Sequence, residues 1–147
     1  MSDEVSVFIE SNGELLQMDL DPNAFSVDDS DLDGELCRIA RMIFEYGTVE
    51  AETKLRVGRL DAEIERLRSE LDVKVRASFL ERGEKATEAR VAGAIVLDNQ
   101  FQETTHAYNQ AVRDAGVMRW AMTALTHKSE ALRALAYREN QSMKADR

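Results

Sequence analysis

Leu60, Ile64, Leu67 and Leu71 follow one another in alternating steps of four and three, and this spacing constrains the chain more than any other feature. Apolar side chains at that period share one stripe of an α-helix, whereas a strand would send successive residues to opposite faces. Such a stripe needs a facing helix, in a coiled coil or an antiparallel helical hairpin. It runs on through Val75 and Phe79 with a one-residue shift, the mark of a stutter. Arg56, Arg59, Glu63, Glu65, Arg66, Arg68 and Glu70 surround it with charge. Leu60, Ile64, Leu67, Leu71, Val75 and Phe79 are therefore the expected core or self-association face.

The same reading extends both ways. Upstream, Leu32, Leu36, Ile39, Ala40, Ile43 and Phe44 form a second stripe. Asp31 or Asp33 can cap its free amides, and Glu35 suits the positive end of the helix dipole. Gly47 is expected to bend or interrupt this helix, with Val49, Ala51 and Leu55 resuming the pattern. Residues 81–85 break the period and read as a loop. Thr87 then caps a short helix ending near Leu97, and Asp98 caps a third helix. On that helix Phe101, Thr104 or Thr105, Tyr108, Ala111 or Val112, Ala115 and Met118 share a face that continues through Met122, Leu125, Leu132 and Leu135. Roughly forty residues at about 1.5 Å each give about 60 Å, a match for an antiparallel partner over 49–80.

The first thirty residues differ. Val5, Val7 and Ile9 alternate, Asn12-Gly13 supplies a type I′ turn, and 14–20 return as a second strand. A lone two-stranded hairpin is marginal in water, so it must pack on the body or on a partner chain. The fold class is thus mainly α, with long antiparallel helices and a small N-terminal β-hairpin. The expected division is an acidic segment over 1–30, a helical body over 31–138 and a polar, frayed tail over 139–147.

Charge is divided in the same way. Residues 1–35 hold eleven of the 28 acidic side chains and no lysine or arginine, leaving 17 acidic against 19 basic residues in 36–147. An acidic head on a slightly basic body can solubilise the chain, compete with a polyanion or dock on a basic partner.

Several chemistries are excluded. His106 and His127, the two histidines, lie far apart with no ligand spacing, so no metal site is expected and both read as surface residues. The seven glycines are never closer than ten residues, which rules out phosphate-binding loops and nucleophile elbows. Cys37, the single cysteine, permits no internal disulfide and falls among apolar positions, where a buried, inert thiol is expected. The start Met1-Ser2-Asp3-Glu4 is acidic where a secretory signal would be basic, and no uncharged run approaches a membrane span. The expectation is a cytoplasmic protein with no cofactor, no catalytic site and no membrane partner.

Nucleic-acid binding survives this screen. Lys74, Arg76, Arg82, Lys85 and Arg90 fall within one short stretch, with Lys128, Arg133 and Arg138 on the third helix. Glu81, Glu84 and Glu88 dilute the cluster, so one copy offers a weak site that a symmetric oligomer would multiply. Trp120, Tyr108, Phe79 and Phe101 could stack on bases, but their places near the apolar stripe favour core packing.

The residues that carry this cluster also carry a resemblance. Val75-Arg76, then 83–91 (Gly-Glu-Lys-Ala-Thr-Glu-Ala-Arg-Val), then Leu97-Asp98-Asn99-Gln100-Phe101 resemble phage recombination-mediator proteins of the UvsY type. Lys85, Thr87, Glu88 and Ala89 match the central stretch of that family, Asp98 and Phe101 match the start of its last long helix, and Lys128 and Arg133 approximate basic positions near its end. The likeness covers roughly 30–138. Asn99 stands where the family has proline, and residues 1–25 have no counterpart. The resemblance implies a homo-oligomer that binds single-stranded DNA and helps a strand-exchange recombinase displace the single-strand-binding protein. Two other readings remain: a structural or scaffolding protein of phage assembly, and a regulatory adaptor that docks through its acidic head.

Overall fold

The computed structural model describes residues 5–145, so the acidic start read at 1–4 and the last two residues lie outside the described part. Two strands, β1 (Val5–Ser11) and β2 (Glu14–Leu20), are followed by short 3-10 turns at Pro22–Phe25 and Asp29–Asp31. Three helices complete the described residues: α1 (Leu32–Glu81), α2 (Glu88–Val96) and α3 (Asn99–Ala145). The mainly α class and the N-terminal hairpin stand as read. The long helices divide between two compact units, one holding the chain up to Thr53 and from Asp114 onward, the other Lys54–Arg113.

In the first unit the hairpin, the first part of α1 and the last part of α3 surround one core. Asn12 and Gly13 both take positive φ, 53° and 81°, as a type I′ turn requires. The strands pair antiparallel, with Val5 opposite Leu20 and Ser11 opposite Glu14. With Ser11 and Glu14 closing the turn, Phe8 occupies a position whose N–H points away from β2. That edge amide donates to the carboxylate of Asp114 on α3, 3.2 Å away. Val7, Leu20, Leu32, Ile39, Tyr46, Met118, Ala121, Leu125 and Leu132 form the core. As α1 advances its partners on α3 recede, from Glu35 beside Lys128 to Gly47 beside Met122, so the helices run antiparallel.

Several expectations about α1 are corrected. The helix passes through Gly47 without interruption. An added Cβ there would meet only the tip of Met122, 3.6 Å away. The roughly 1 kcal/mol that a mid-helix glycine costs is offset by burial of Tyr46 nearby. The buried row is Leu32, Glu35, Ile39, Tyr46 and Thr53, while Phe44, Ala51 and Leu55 face solvent. Cys37 is exposed, not buried, because the row passes two residues to either side of it. At the other end, α3 stays helical through Ala145, and 139–145 form regular helix with every residue exposed.

The second unit contains the stripe that opened the sequence reading. Ile64, Leu67, Phe79, Val91, Ile95 and Phe101 make its core, with Leu71, Val75, Ala86 and Tyr108 packed against it. Leu60 is half-buried. Thr87 Oγ1 accepts from the Arg90 amide, and Asp98 Oδ1 accepts from the Phe101 amide at 3.0 Å, so both expected caps are in place. Gly83, at φ 67°, ends α1 and lets Glu84 N–H reach back to the Phe79 carbonyl, the left-handed closure that favours glycine.

Met118, Leu125 and Leu132 are wholly inaccessible at seven-residue steps. Leu125→Ala is expected to lower unfolding stability by about 3 kcal/mol, through lost transfer energy and the cavity left behind. Urea titration followed by circular dichroism measures it; a loss no larger than that of an exposed-site control such as Leu55→Ala would contradict this core.

Candidate nucleic-acid interface

Four of the basic residues singled out in the sequence come together where α1 turns into α2. Phe79 is the centre. The Arg82 guanidinium carbon lies 5.0 Å from the centre of its ring and that of Arg90 lies 4.5 Å away, within the range at which the ring's quadrupole attracts a cation. Glu84 bridges the two: it accepts from Arg90 and lies 3.4 Å from Arg82. The hydrogen bond from Arg90, reinforced by the charges of Arg82 and Arg90, holds its carboxyl below the usual range against a smaller desolvation cost.

Arg76 joins the same turn by another route. Its Nε donates to Asp72 at 2.8 Å, one helical turn back, and its Nη2 reaches both oxygens of Glu88 at 2.9 Å. These contacts tie α1 to the first turn of α2 and, together, keep the guanidinium charged, its pKa pushed upward chiefly by Asp72 and then Glu88. Lys85 is exposed in the turn itself, and its backbone carbonyl accepts from Arg90 at 3.1 Å. Glu88, read in the sequence as an acid that dilutes the cluster, is thus also an inter-helix tie.

The other expected site residues do not join this group. Lys74 is exposed, but it precedes Arg76 by two positions, about 200° around the helix, and belongs to a different face. Arg133 is exposed on α3 in the other unit. Lys128 is a correction. Its side chain is only 4% exposed and its ammonium lies 2.6 Å from Glu35 Oε2, while it donates to the Ala24 carbonyl at 3.0 Å. It clamps the segment after the hairpin to both long helices and is not available to a polyanion.

The aromatic residues divide in the same manner. Phe79 and Phe101 are buried and Tyr108 packs on their cluster, as expected. Trp120 is 70% exposed, against the expectation of core packing. His106 and His127 are exposed, as read, and no group of three metal-ligating side chains occurs among the described residues. Among those residues no helix is long and apolar enough to cross a membrane.

What the turn can do chemically follows from these placements. Guanidinium forks match the oxygens of a phosphodiester, and here two are held in place by an aromatic ring and one by paired carboxylates. Each carboxylate also subtracts charge, so a single copy presents an ordered but nearly neutralised site. No family model, no curated protein and no solved structure matches the chain, so function rests on this chemistry.

The Lys128 clamp predicts a pH dependence. The adjacent Lys128 ammonium, and then Arg38, hold the Glu35 carboxyl below its ordinary 4.5 despite the opposing effect of burial. A carboxylate depressed in the folded state adds stability above its unfolded value and loses it as pH falls through the folded one. Stability should therefore drop below about pH 4.5. Lys128→Met should cost about 3 kcal/mol at neutral pH by leaving Glu35 Oε2 buried with only the Arg38 contact to its other oxygen. Combining it with Glu35→Gln should recover much of that loss and flatten the acid slope. Urea unfolding from pH 3 to 7 measures all three variants, and an unchanged acid slope in the double variant would refute the assignment.

Proposed function

We propose that this chain is a non-catalytic, homo-oligomeric single-stranded-DNA-binding protein that acts as a recombination mediator, helping to load a strand-exchange recombinase where a single-strand-binding protein must leave. The observation that carries this reading is the convergence of Arg76, Arg82 and Arg90, with Lys85, on the one turn that also carries the mediator-like residues Lys85, Thr87 and Glu88.

Magnitudes favour an exchange of anions at this turn. Arg82, Glu84 and Arg90 are all exposed, and ion pairs in water contribute little to stability. A phosphodiester can therefore take the place of Glu84 between the two guanidinium groups at little cost. One such exchange binds weakly. Repeated around an oligomer along one strand, it binds strongly, because every contact after the first is made at high effective concentration. Single strands suit this arrangement better than duplex, since a flexible backbone can follow a set of separated turns.

Self-association has surface to use within the second unit. Val73, Leu80, Val96 and Leu97 are all exposed there, which also supports a pure scaffolding role in which the same helices assemble without a nucleic acid. Binding data separate the two readings.

Fluorescence anisotropy with a labelled single-stranded oligonucleotide is the test. Affinity should fall with salt, by a slope of about 0.7 for each phosphate contacted, and exceed that for duplex. Arg82→Glu with Lys85→Glu should reduce it by about tenfold or more in the oligomer. Glu84→Gln should raise it by about two- to threefold, since an exposed ion pair competes weakly. A stable oligomer with no affinity at low salt would leave the scaffolding role instead, and affinity indifferent to all three changes would remove this turn as the interface.

A further inference from the structure

The second unit carries a pocket that the charged turn does not use. It is lined by Val96 at the end of α2 and by Phe101, Gln102, Thr105, His106 and Asn109 from the first turns of α3, around a cavity of about 270 Å³. Sites for drug-sized molecules run to roughly 300–1,000 Å³, so this one suits a single ring system. Gln102, His106 and Asn109 follow one another at steps of four and three and share one stripe of α3, beside the stripe that buries Phe101. Val96, 57% exposed, and Phe101 give the pocket its apolar side.

The polar side carries no carboxylate, ammonium or guanidinium. Between Asn99 and Val112 the helix holds one charged residue, Glu103, and it does not line the pocket. Two of the polar groups are set by the backbone. Thr105 Oγ1 donates to the Phe101 carbonyl at 2.8 Å, and Gln102 Nε2 donates to the Val96 carbonyl at 2.9 Å. The second bond ties the end of α2 to α3 and leaves the Gln102 amide oxygen to accept. His106 and Asn109 are exposed, and their side chains have no partner among the described residues. The pocket thus offers donors and acceptors beside an apolar wall. A phosphate has no lysine or arginine to meet there. A purine or pyrimidine ring matches on each count, being planar and uncharged, with donors and acceptors on its edges and two faces that stack.

We infer that this pocket receives one unpaired nucleobase of a bound single strand. The inference rests on the strand-binding role proposed above for the Arg82–Glu84–Arg90 turn, and adds to it a contact that meets the base and not the backbone. Both sites belong to one unit and are joined by α2. Arg90 and Val96 are six residues apart on that helix, about 9 Å along its axis, which two or three nucleotides span. A duplex keeps its bases stacked and paired, so only a single strand offers one to the pocket.

Two labelled oligonucleotides of equal length, one of mixed sequence and one wholly abasic, carry the same phosphates and differ only in their bases. The full-length protein should bind the abasic strand about fivefold or more weakly, with the same salt slope. His106→Ala with Asn109→Ala should abolish that difference and leave abasic binding as it was. Both positions are exposed, and circular dichroism confirms that the variant folds. His106 is one of two histidines, so its imidazole proton resonances, identified by their loss in His106→Ala, mark the site. They should shift with the base-bearing strand and not with the abasic one, while those of His127, in the other unit, stay in place. Equal affinity for the two strands, or a base preference that survives the double variant, overturns the inference and leaves the strand-binding role standing. No binding of either strand removes that role, and the inference with it. A shift of His106 by free adenosine alongside equal affinity for both strands makes the pocket a nucleoside site and also overturns the strand assignment.

Discussion

One row of side chains along α3 organises the first unit: Asp114, Met118, Ala121, Leu125, Lys128 and Leu132, in steps of four and three, all buried. The row faces a matching one on α1 formed by Leu32, Glu35, Ile39, Tyr46 and Thr53. Its apolar members supply the burial that makes the helices pair. Its two charged members decide how they pair. Lys128 can be buried only where a carboxylate meets it, and Glu35 is the acid that does so, so a shift of one turn would leave the ammonium bare and Glu35 with only its Arg38 contact, at a cost of several kcal/mol. Asp114 takes the outward amide of Phe8 and fixes where the hairpin lies. The polar positions in the row thus specify register, and the apolar ones supply stability.

This division explains which parts were legible in the sequence. Where the buried row is purely apolar, as in Ile64, Leu67, Leu71 and Phe79, its period is plain and the second unit's core follows from it. The turn residues are equally plain, since Asn12-Gly13, Thr87 and Asp98 each carry local chemistry that owes nothing to distant packing. The first part of α1 was harder because Glu35 and Thr53 occupy its buried row. A reading weighted by hydrophobicity slides to Leu36, Ala40 and Phe44, which are one or two positions over and face outward in part. The same slip placed Cys37 inside. The alternating steps through Met118, Leu125 and Leu132 do pass through Lys128, so the signal for its burial was present in the spacing. It was masked by the habit of lysines to sit on surfaces.

Trp120 stayed hidden for a related reason. It adjoins the buried row, at Ala121, and a tryptophan next to a seam ordinarily belongs to the core. Here Ala121 occupies the row and the indole is left outside, where the hairpin's Val5 and Leu20 and the turn's Phe25 form a wall opposite it. No helical period can report that wall, because it arises from a contact between segments about a hundred residues apart.

The basic residues make the same point in energetic terms. Sequence proximity collected Lys74, Arg76, Arg82, Lys85 and Arg90 into one cluster, with Lys128 and Arg133 set beside it on the third helix. Burial and face then sort them. The Lys128 pair is desolvated and cannot open without exposing a carboxylate to an apolar interior, so it is fixed in place. The Arg90–Glu84 pair lies in water, where forming or breaking it changes the free energy by a small amount. Ordered by the Phe79 ring yet weakly committed to their carboxylate, Arg82 and Arg90 are free to trade one anion for another. A residue committed as firmly as Lys128 can hold a fold, while a residue held as lightly as Arg90 can serve a ligand.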